Sequence, residues 1–275
     1  MTTTQQAAVI QMSSGPDRDA NLASAASLLQ SAAASGAALA VLPENFALMG
    51  ARDTDKLAIA EVEGAGPIQE FLSRTARELN LWIVGGTIPL TSSDPGHVYA
   101  ACCVYNARGE RVARYDKIHL FDVDLPDGRG ERYRESSTIA AGAPKPVVVD
   151  TPLGRLGLSV CYDLRFAELY RALVAQGAEL LCVPSAFTEA TGRAHWEVLL
   201  RARAIENLCH VLASGQCGSH SGSRHTWGHS CIIDPWGGVL ADCGDRPGAA
   251  LATIDAERRA RLRHEFPVLG HRRLS

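Results

Sequence analysis

The chain comprises 275 residues, 46% of them apolar and 21% charged, with a formal net charge of −3. That length suits one large domain or two small ones, and the apolar content is ample for a substantial core. Charges of both signs are interspersed and no basic run is long enough to track a phosphate backbone, so nucleic acid is not an expected partner.

The N-terminal Met1-Thr-Thr-Thr-Gln-Gln lacks the basic and apolar regions of a secretion signal. The longest apolar stretches, about eight or nine residues, fall far short of the roughly 20 that span a bilayer. A soluble, cytoplasmic protein with no membrane partner is expected. In chain order, a strand over Ala7 to Met12 leads to a helix from about Asp17 to Ala34, and a strand over Leu39 to Leu42 stops at Pro43. A helix over Pro67 to Leu79 precedes a strand from Leu81 to Thr87. Strands Val98 to Asn106 and Arg111 to Tyr115 are joined by a hairpin-like turn at Ala107-Arg-Gly-Glu. A long polar segment, His119 to Gly142, follows. The pattern resumes with strands Val147 to Asp150 and Leu156 to Cys161, helix Phe166 to Gln176 and strand Leu180 to Pro184. Helix Arg193 to Asn207 and strand Val211 to Gln216 come next. A second hairpin pairs His229 to Ile233 with Val239 to Ala241, before a strand Ala249 to Ile254 and a charged helix. No linker or repeat divides the sequence, so a single domain over 1–275 is expected. Strands alternating with helices, twice over, indicate an α/β layered domain with two mixed sheets facing each other and helices outside.

The chain is too long to need disulfide staples, and most of its eight cysteines sit in apolar strand-like runs, where a thiol behaves as a small hydrophobe. No Cys-x-x-Cys pair offers a structural zinc site. Cys161 stands apart. Arg155-Leu-Gly-Leu-Ser-Val-Cys161 reads as a strand ending abruptly at the cysteine, with a helical pattern beginning just beyond Arg165. Free backbone N–H groups and a positive helix terminus at such a turn favour thiolate and can hold an oxyanion.

Two other strand ends carry an unexpected polar residue: Glu44 in Leu42-Pro-Glu-Asn-Phe, and Lys117 in Tyr115-Asp-Lys-Ile-His-Leu-Phe. Ligand sites in α/β sheets gather at strand carboxyl ends, so the three can converge in one crevice. A carboxylate as general base, a thiol as nucleophile and an ammonium facing an oxyanion form a coherent set. Each also has an ordinary reading. Glu44 could be solvated or cap a helix, Lys117 could pair with Asp116, Asp122 or Asp124, and Glu135 could be a loop carboxylate. Arg165 could pair with Asp163 or Glu168, and Glu197 and Arg201, at i,i+4 spacing, read as a surface pair.

Other constellations fail. Gly157-Leu-Ser-Val-Cys161 lacks the final glycine of a serine nucleophile elbow. Gly64-Ala-Gly66 lacks a third glycine, and no phosphate-binding loop is present, so neither a dinucleotide nor ATP is expected. His220, His225 and His229, in a Ser/Gly setting, read as a flexible, substrate-facing or solvated loop rather than a metal cluster. No metal or cofactor is expected.

Together the three segments resemble the nitrilase superfamily of carbon–nitrogen hydrolases, from Ala7 to about Arg273. The resemblance implies a four-layer α-β-β-α sandwich in which Glu44, Lys117 and Cys161 form the catalytic set. Glu135 matches the family's additional glutamate, which positions lysine and substrate. The segments Pro184 to Glu206, Gln216-Cys-Gly and Gly228-His-Ser-Cys-Ile-Ile-Asp-Pro-Trp-Gly are similar to the amidase branch acting on deaminated glutathione and on ω-amides of keto acids. The implied roles are Glu44 as proton carrier, Cys161 as thioester-forming nucleophile, and Lys117 with the Tyr162 N–H as oxyanion holders. Arg165 and Thr191 are implied to bind a keto acid carboxylate, a task that suits a guanidinium fork. A small-molecule amide is the implied substrate and a homodimer the implied assembly. A nitrilase, an N-carbamoyl amidase or a non-enzymatic scaffold are the alternatives. The polar run Asp124 to Tyr133 is a departure from the family pattern.

Overall fold

The structure is a computed structural model describing residues 5–126, 131–221 and 224–274. The first half runs β1 (Gln5–Gln11), α1 (Arg18–Ala34), β2 (Ala37–Val41), α2 (Pro67–Glu78), β3 (Trp82–Val84), β4 (Ile88–Thr91), β5 (Val98–Tyr105) and β6 (Arg111–Asp116). A small hairpin, β7 (Asp122–Asp124) and β8 (Arg132–Arg134), leads to β9 (Val148–Thr151), β10 (Gly154–Leu158), α3 (Ala167–Ala175), β11 (Leu180–Ser185), α4 (Glu189–Asn207) and β12 (His210–Gly215). The chain closes with β13 (Cys217–Ser219), β14 (His225–Trp227), β15 (Cys231–Ile233), β16 (Val239–Asp242), β17 (Gly248–Ile254) and α5 (Ala256–Glu265).

Two mixed sheets result. One is ordered β17-β1-β2-β3-β5-β4, with β6 on β5; the other is β16-β15-β12-β11-β10-β9. Each is parallel at its centre, β1-β2-β3 and β10-β11-β12, and antiparallel outside. The central strands are buried on both faces, which explains their near-continuous apolar runs. Along β1, Ala8 and Ile10 join Leu29 of α1 and Ile68 and Leu72 of α2. The alternate residues Ala7 and Val9 face the second sheet and share a core with its Leu158, Cys182 and Leu212, while Leu173 and Leu200 bring α3 and α4 onto its far side. The four layers expected from the sequence are therefore present. Among the described residues no helix is long and apolar enough to cross a membrane.

Local chemistry explains the boundaries. Asp17 caps α1 by accepting from the N–H groups of Asp19 and Ala20 at 2.9 and 3.1 Å. α2 is capped from a distance: Glu61 accepts from Ile68 N at 2.6 Å and Gln69 N at 3.1 Å. The expected strand Leu81 to Thr87 is cut short to Trp82–Val84, and a separate strand begins at Ile88. Gly86, at φ 54°, lets the chain pass so close to Pro43 that a Cβ would lie 2.0 Å from the Pro43 carbonyl oxygen. The polar segment after β6 is not all loop, since Asp122 pairs with Arg134 in β7-β8. The strand expected to end at Cys161 stops at Leu158, and the cysteine opens a 3-10 turn, Cys161–Arg165, ahead of α3. α4 begins at Glu189, capped by Thr188, four residues before the sequence pattern suggests.

Candidate active site

Glu44 follows β2 through Leu42 and Pro43, whose path is fixed by Leu42 N donating to Val84 O at 2.9 Å. Beyond it, Asn45 adopts φ 57° and donates its N–H to Thr87 Oγ1 at 2.9 Å. From the second sheet, Gln216 Nε2 donates to the Glu44 carbonyl at 3.1 Å. The Glu44 side chain is thereby aimed inward and is 3% exposed.

Lys117 is the first residue past β6 and is 1% exposed. Its ammonium donates to Glu44 Oε1 at 2.8 Å and to both Glu135 oxygens at 2.8 Å. Glu135 Oε2 also accepts from Phe121 N at 2.7 Å. Lys117 thus pairs with none of Asp116, Asp122 and Asp124.

Cys161 sits at φ 49°, a left-handed conformation that costs a non-glycine residue energy and persists only where neighbours hold it. The holder is Asp163, fully buried. Its carboxylate accepts from Val160 N at 2.8 Å, Tyr115 Oη at 2.7 Å, and His119 at both N (3.2 Å) and Nδ1 (2.7 Å). His119 in turn stacks on Phe166 with centroids 3.8 Å apart. One carboxylate therefore ties the cysteine turn to the strand and loop that carry Lys117. Being so engaged, Asp163 leaves Arg165 unpaired with it.

The electrostatics assign the protons. Burial works to raise the Glu44 pKa, but the Lys117 charge and hydrogen bond, with the Cys161 thiol donating to it, hold the carboxyl below its ordinary value. Burial is opposed likewise at Lys117, where Glu135 and Glu44 push the ammonium well above the usual lysine range. At Cys161 burial and the Glu44 charge raise the thiol well above its usual value, although Lys117 and the Ala186 N–H favour the anion. This corrects the expectation of a stabilised thiolate: the resting site is carboxylate, ammonium and neutral thiol. Its causes are burial of the sulfur and the carboxylate that touches it, while the positive end of α3 lies beyond the 3-10 turn.

Glu44, Lys117, Glu135, Cys161, Tyr162, Arg165 and Thr191 all line one cleft. The Arg165 guanidinium lies 5.7 Å from the Tyr162 ring centroid and 5.5 Å from that of Phe187, and Nη1 is 3.3 Å from His195 Nδ1. Thr191 shares a 2.9 Å hydroxyl hydrogen bond with Thr188. The Tyr162 N–H faces no acceptor among the described residues. Glu197 and Arg201 pair on the surface at 3.1 Å, as their spacing implies. The histidine run is corrected at His220, which is buried, not solvated: its Nδ1–H donates to Ser14 O at 2.8 Å and its Nε2 accepts from the Thr226 hydroxyl at 2.7 Å. Asp163, Lys56 and Arg224 were not singled out as site residues. The first could have been sought as the acid two residues past the nucleophile; the other two carry no sequence signal.

Fold and site define an enzyme of the nitrilase type, built on an α-β-β-α sandwich. The family model described as carbon–nitrogen hydrolase matches residues 6–264. The chain is 46% identical over 268 residues to the deaminated glutathione amidase of Synechocystis, covering 97% of each. To the human protein of that name it is 44% identical over 269 residues, covering 97% of this chain and 81% of the other. Among solved structures, the Caenorhabditis elegans NitFhit protein superposes with a TM-score of 0.89 at 38% identity, covering 99% of this chain and 66% of that one. Saccharomyces cerevisiae Nit3, a member of branch 10 of the nitrilase superfamily, gives 0.87 at 31% identity, covering 98% and 97%. The chain belongs to the carbon–nitrogen hydrolase family.

Proposed function

We propose that the protein is an amidase whose substrate is deaminated glutathione, cleaved through a thioester on Cys161. In this reading Glu44 takes the Sγ proton as the sulfur attacks the amide carbon, and the carbonyl oxygen becomes an oxyanion facing Lys117 Nζ and the Tyr162 N–H. Glu44 returns the proton to the leaving nitrogen and the C–N bond breaks. For deaminated glutathione the leaving group is the amine of a dipeptide; for a simple ω-amide it is ammonia. Glu44 then deprotonates water, which attacks the thioester; the acid leaves and sulfur regains a proton. Glu135 holds Lys117, and Arg165 with Thr191 takes the keto acid carboxylate.

The observation that carries this reading is the neutral thiol donating to a buried carboxylate, itself 2.8 Å from an ammonium, at the floor of a cleft bearing Arg165. The relatives' shared name supports the substrate. Eight free thiols, none bridged, support a reducing compartment and with it the cytoplasm. A homodimer belongs to the same reading, supported by Val198 and Ile205, exposed one above the other on α4.

The test compares kcat/KM for deaminated glutathione and α-ketoglutaramate, following the released keto acid, in the wild type and in Cys161→Ala. The expected result is preference for deaminated glutathione and a loss of at least about 10⁴-fold in the variant. Preference for α-ketoglutaramate would make the protein an ω-amidase, and appreciable turnover by pure Cys161→Ala would remove the thioester.

A further inference from the structure

We infer that Lys56 and Arg224 form a second anion subsite in the cleft, which takes a carboxylate borne on the leaving half of the substrate. The inference rests on the amidase reading above and assigns the part of the molecule that departs.

Both side chains line the cleft that holds Cys161. Its other cations are already engaged or stand elsewhere. Lys117 is held by Glu44 and Glu135, and Arg134 by Asp124 at 2.8 Å. Lys56 makes no hydrogen bond or ion pair among the described residues, and the same is true of the Arg224 guanidinium, whose buried Nε has no partner. Glu135, the carboxylate acting most on Lys56, already accepts from Lys117 and Phe121 N. Asp53, also on the cleft wall, is exposed and bridges neither cation. Two half-buried positive groups with no ion-pair partner among the described residues repel each other and are stabilised by an anion that enters between them. Burial lowers the Lys56 pKa, and Arg224 and Lys117 act in the same direction, against Glu135 and Asp53.

An aromatic row relates this pair to Arg165. The Arg224 guanidinium lies 5.7 Å from the Tyr133 centroid, Tyr133 is 5.1 Å from Phe121, Phe121 is 5.1 Å from Tyr162, and Arg165 lies 5.7 Å from Tyr162. Each end of the three-ring row thus carries a guanidinium. With Arg165 holding the acyl half, a substrate laid along the rings brings its amine half to Arg224 and Lys56. The ligand class is an N-substituted amide whose leaving amine carries a carboxylate, as a dipeptide does.

The experiment uses the full chain and three amides of α-ketoglutarate: the primary amide, deaminated glutathione, and deaminated glutathione with its terminal carboxylate capped as an amide. In the wild type, capping is expected to raise KM about tenfold, the usual cost of one charge-assisted contact. In Arg224→Gln and Lys56→Met the effect of capping should shrink to about twofold or less, with Arg224→Lys intermediate. Capped and uncapped substrates of equal KM in the wild type overturn the subsite, whatever the variants do. So does a capping effect that persists undiminished in both variants. Wild-type turnover of the primary amide alone overturns the subsite and the deaminated-glutathione reading but leaves an amidase; turnover of none of the three overturns the amidase reading itself.

Discussion

Three titratable groups within hydrogen-bonding reach decide how protons move, and their environments push them apart. Glu44 is held below the ordinary carboxylate range by Lys117, and Cys161 is held above the ordinary thiol range by burial and Glu44. The carboxylate is therefore charged and the thiol neutral at neutral pH, and in the proposed mechanism the proton crosses only when the amide is in place. Glu44→Gln removes the acceptor while keeping the shape. The expected loss in kcat/KM is at least about 10³-fold, since in the proposed mechanism one group serves both proton transfers. The acid limb of the wild-type kcat/KM profile should lie below the ordinary glutamate value of 4.5, and should vanish from any residual activity of the variant. Retention of wild-type rates by Glu44→Gln would take Glu44 out of the proton path.

At the scale of elements, the site depends on a turn and a loop that meet through Asp163. Tyr115 lies on β6, His119 lies just past Lys117, and Val160 precedes Cys161; all donate to one buried carboxylate. Burial, with Asp163 beside it, raises the Tyr115 pKa, so the phenol remains the donor. Asp163→Ala leaves these donors without an acceptor and should destabilise the fold by about 3 kcal/mol, measured by urea unfolding. Activity should fall more than in Leu29→Ala, a core truncation of comparable cost in α1, far from the cleft in the packing. Equal activity losses at equal destabilisation would make Asp163 a stability residue alone. This lock shows where sequence reading stops. That Glu44, Lys117 and Cys161 lie close beyond apolar strands was legible, because an apolar run that gives way to a polar residue is a local pattern; that the last strand stops at Leu158 was not. The left-handed φ of Cys161 was not, nor was the break at Gly86, because both are set by tertiary contacts, Asp163 in one case and the Pro43 carbonyl in the other. The direction of the thiol shift is not legible for the same reason: it depends on burial and on Glu44, 117 positions away in the chain.

For the molecule as a whole, alternating strands and helices imply the layers, but not the strand order that brings β2, β6 and β10 to one crevice. Nor do they show Gln216 reaching across the sheets to the Glu44 carbonyl, since a buried glutamine just past an apolar strand has no periodic signature. The same inter-sheet burial couples global stability to pH through His210. It opens β12 at 2% exposure, and its Nδ1 is buried without a hydrogen-bond partner. Burial, reinforced by Arg259, pushes its pKa from 6.5 down to about 4. In the unfolded chain His210 takes up a proton near pH 6.5, whereas the folded protein resists until about pH 4. Its contribution to stability is thus fully present above pH 6.5 and is lost as pH falls to about 4, by about 3 kcal/mol over the whole window. His220 shifts in the same direction, so a comparison between proteins isolates His210. Urea unfolding at pH 7 and pH 4.5 should show His210→Leu losing about 2 kcal/mol less than the wild type over that interval. Parallel losses in the two proteins would mean that the imidazole charges within the fold at no cost and that the acid sensitivity lies elsewhere.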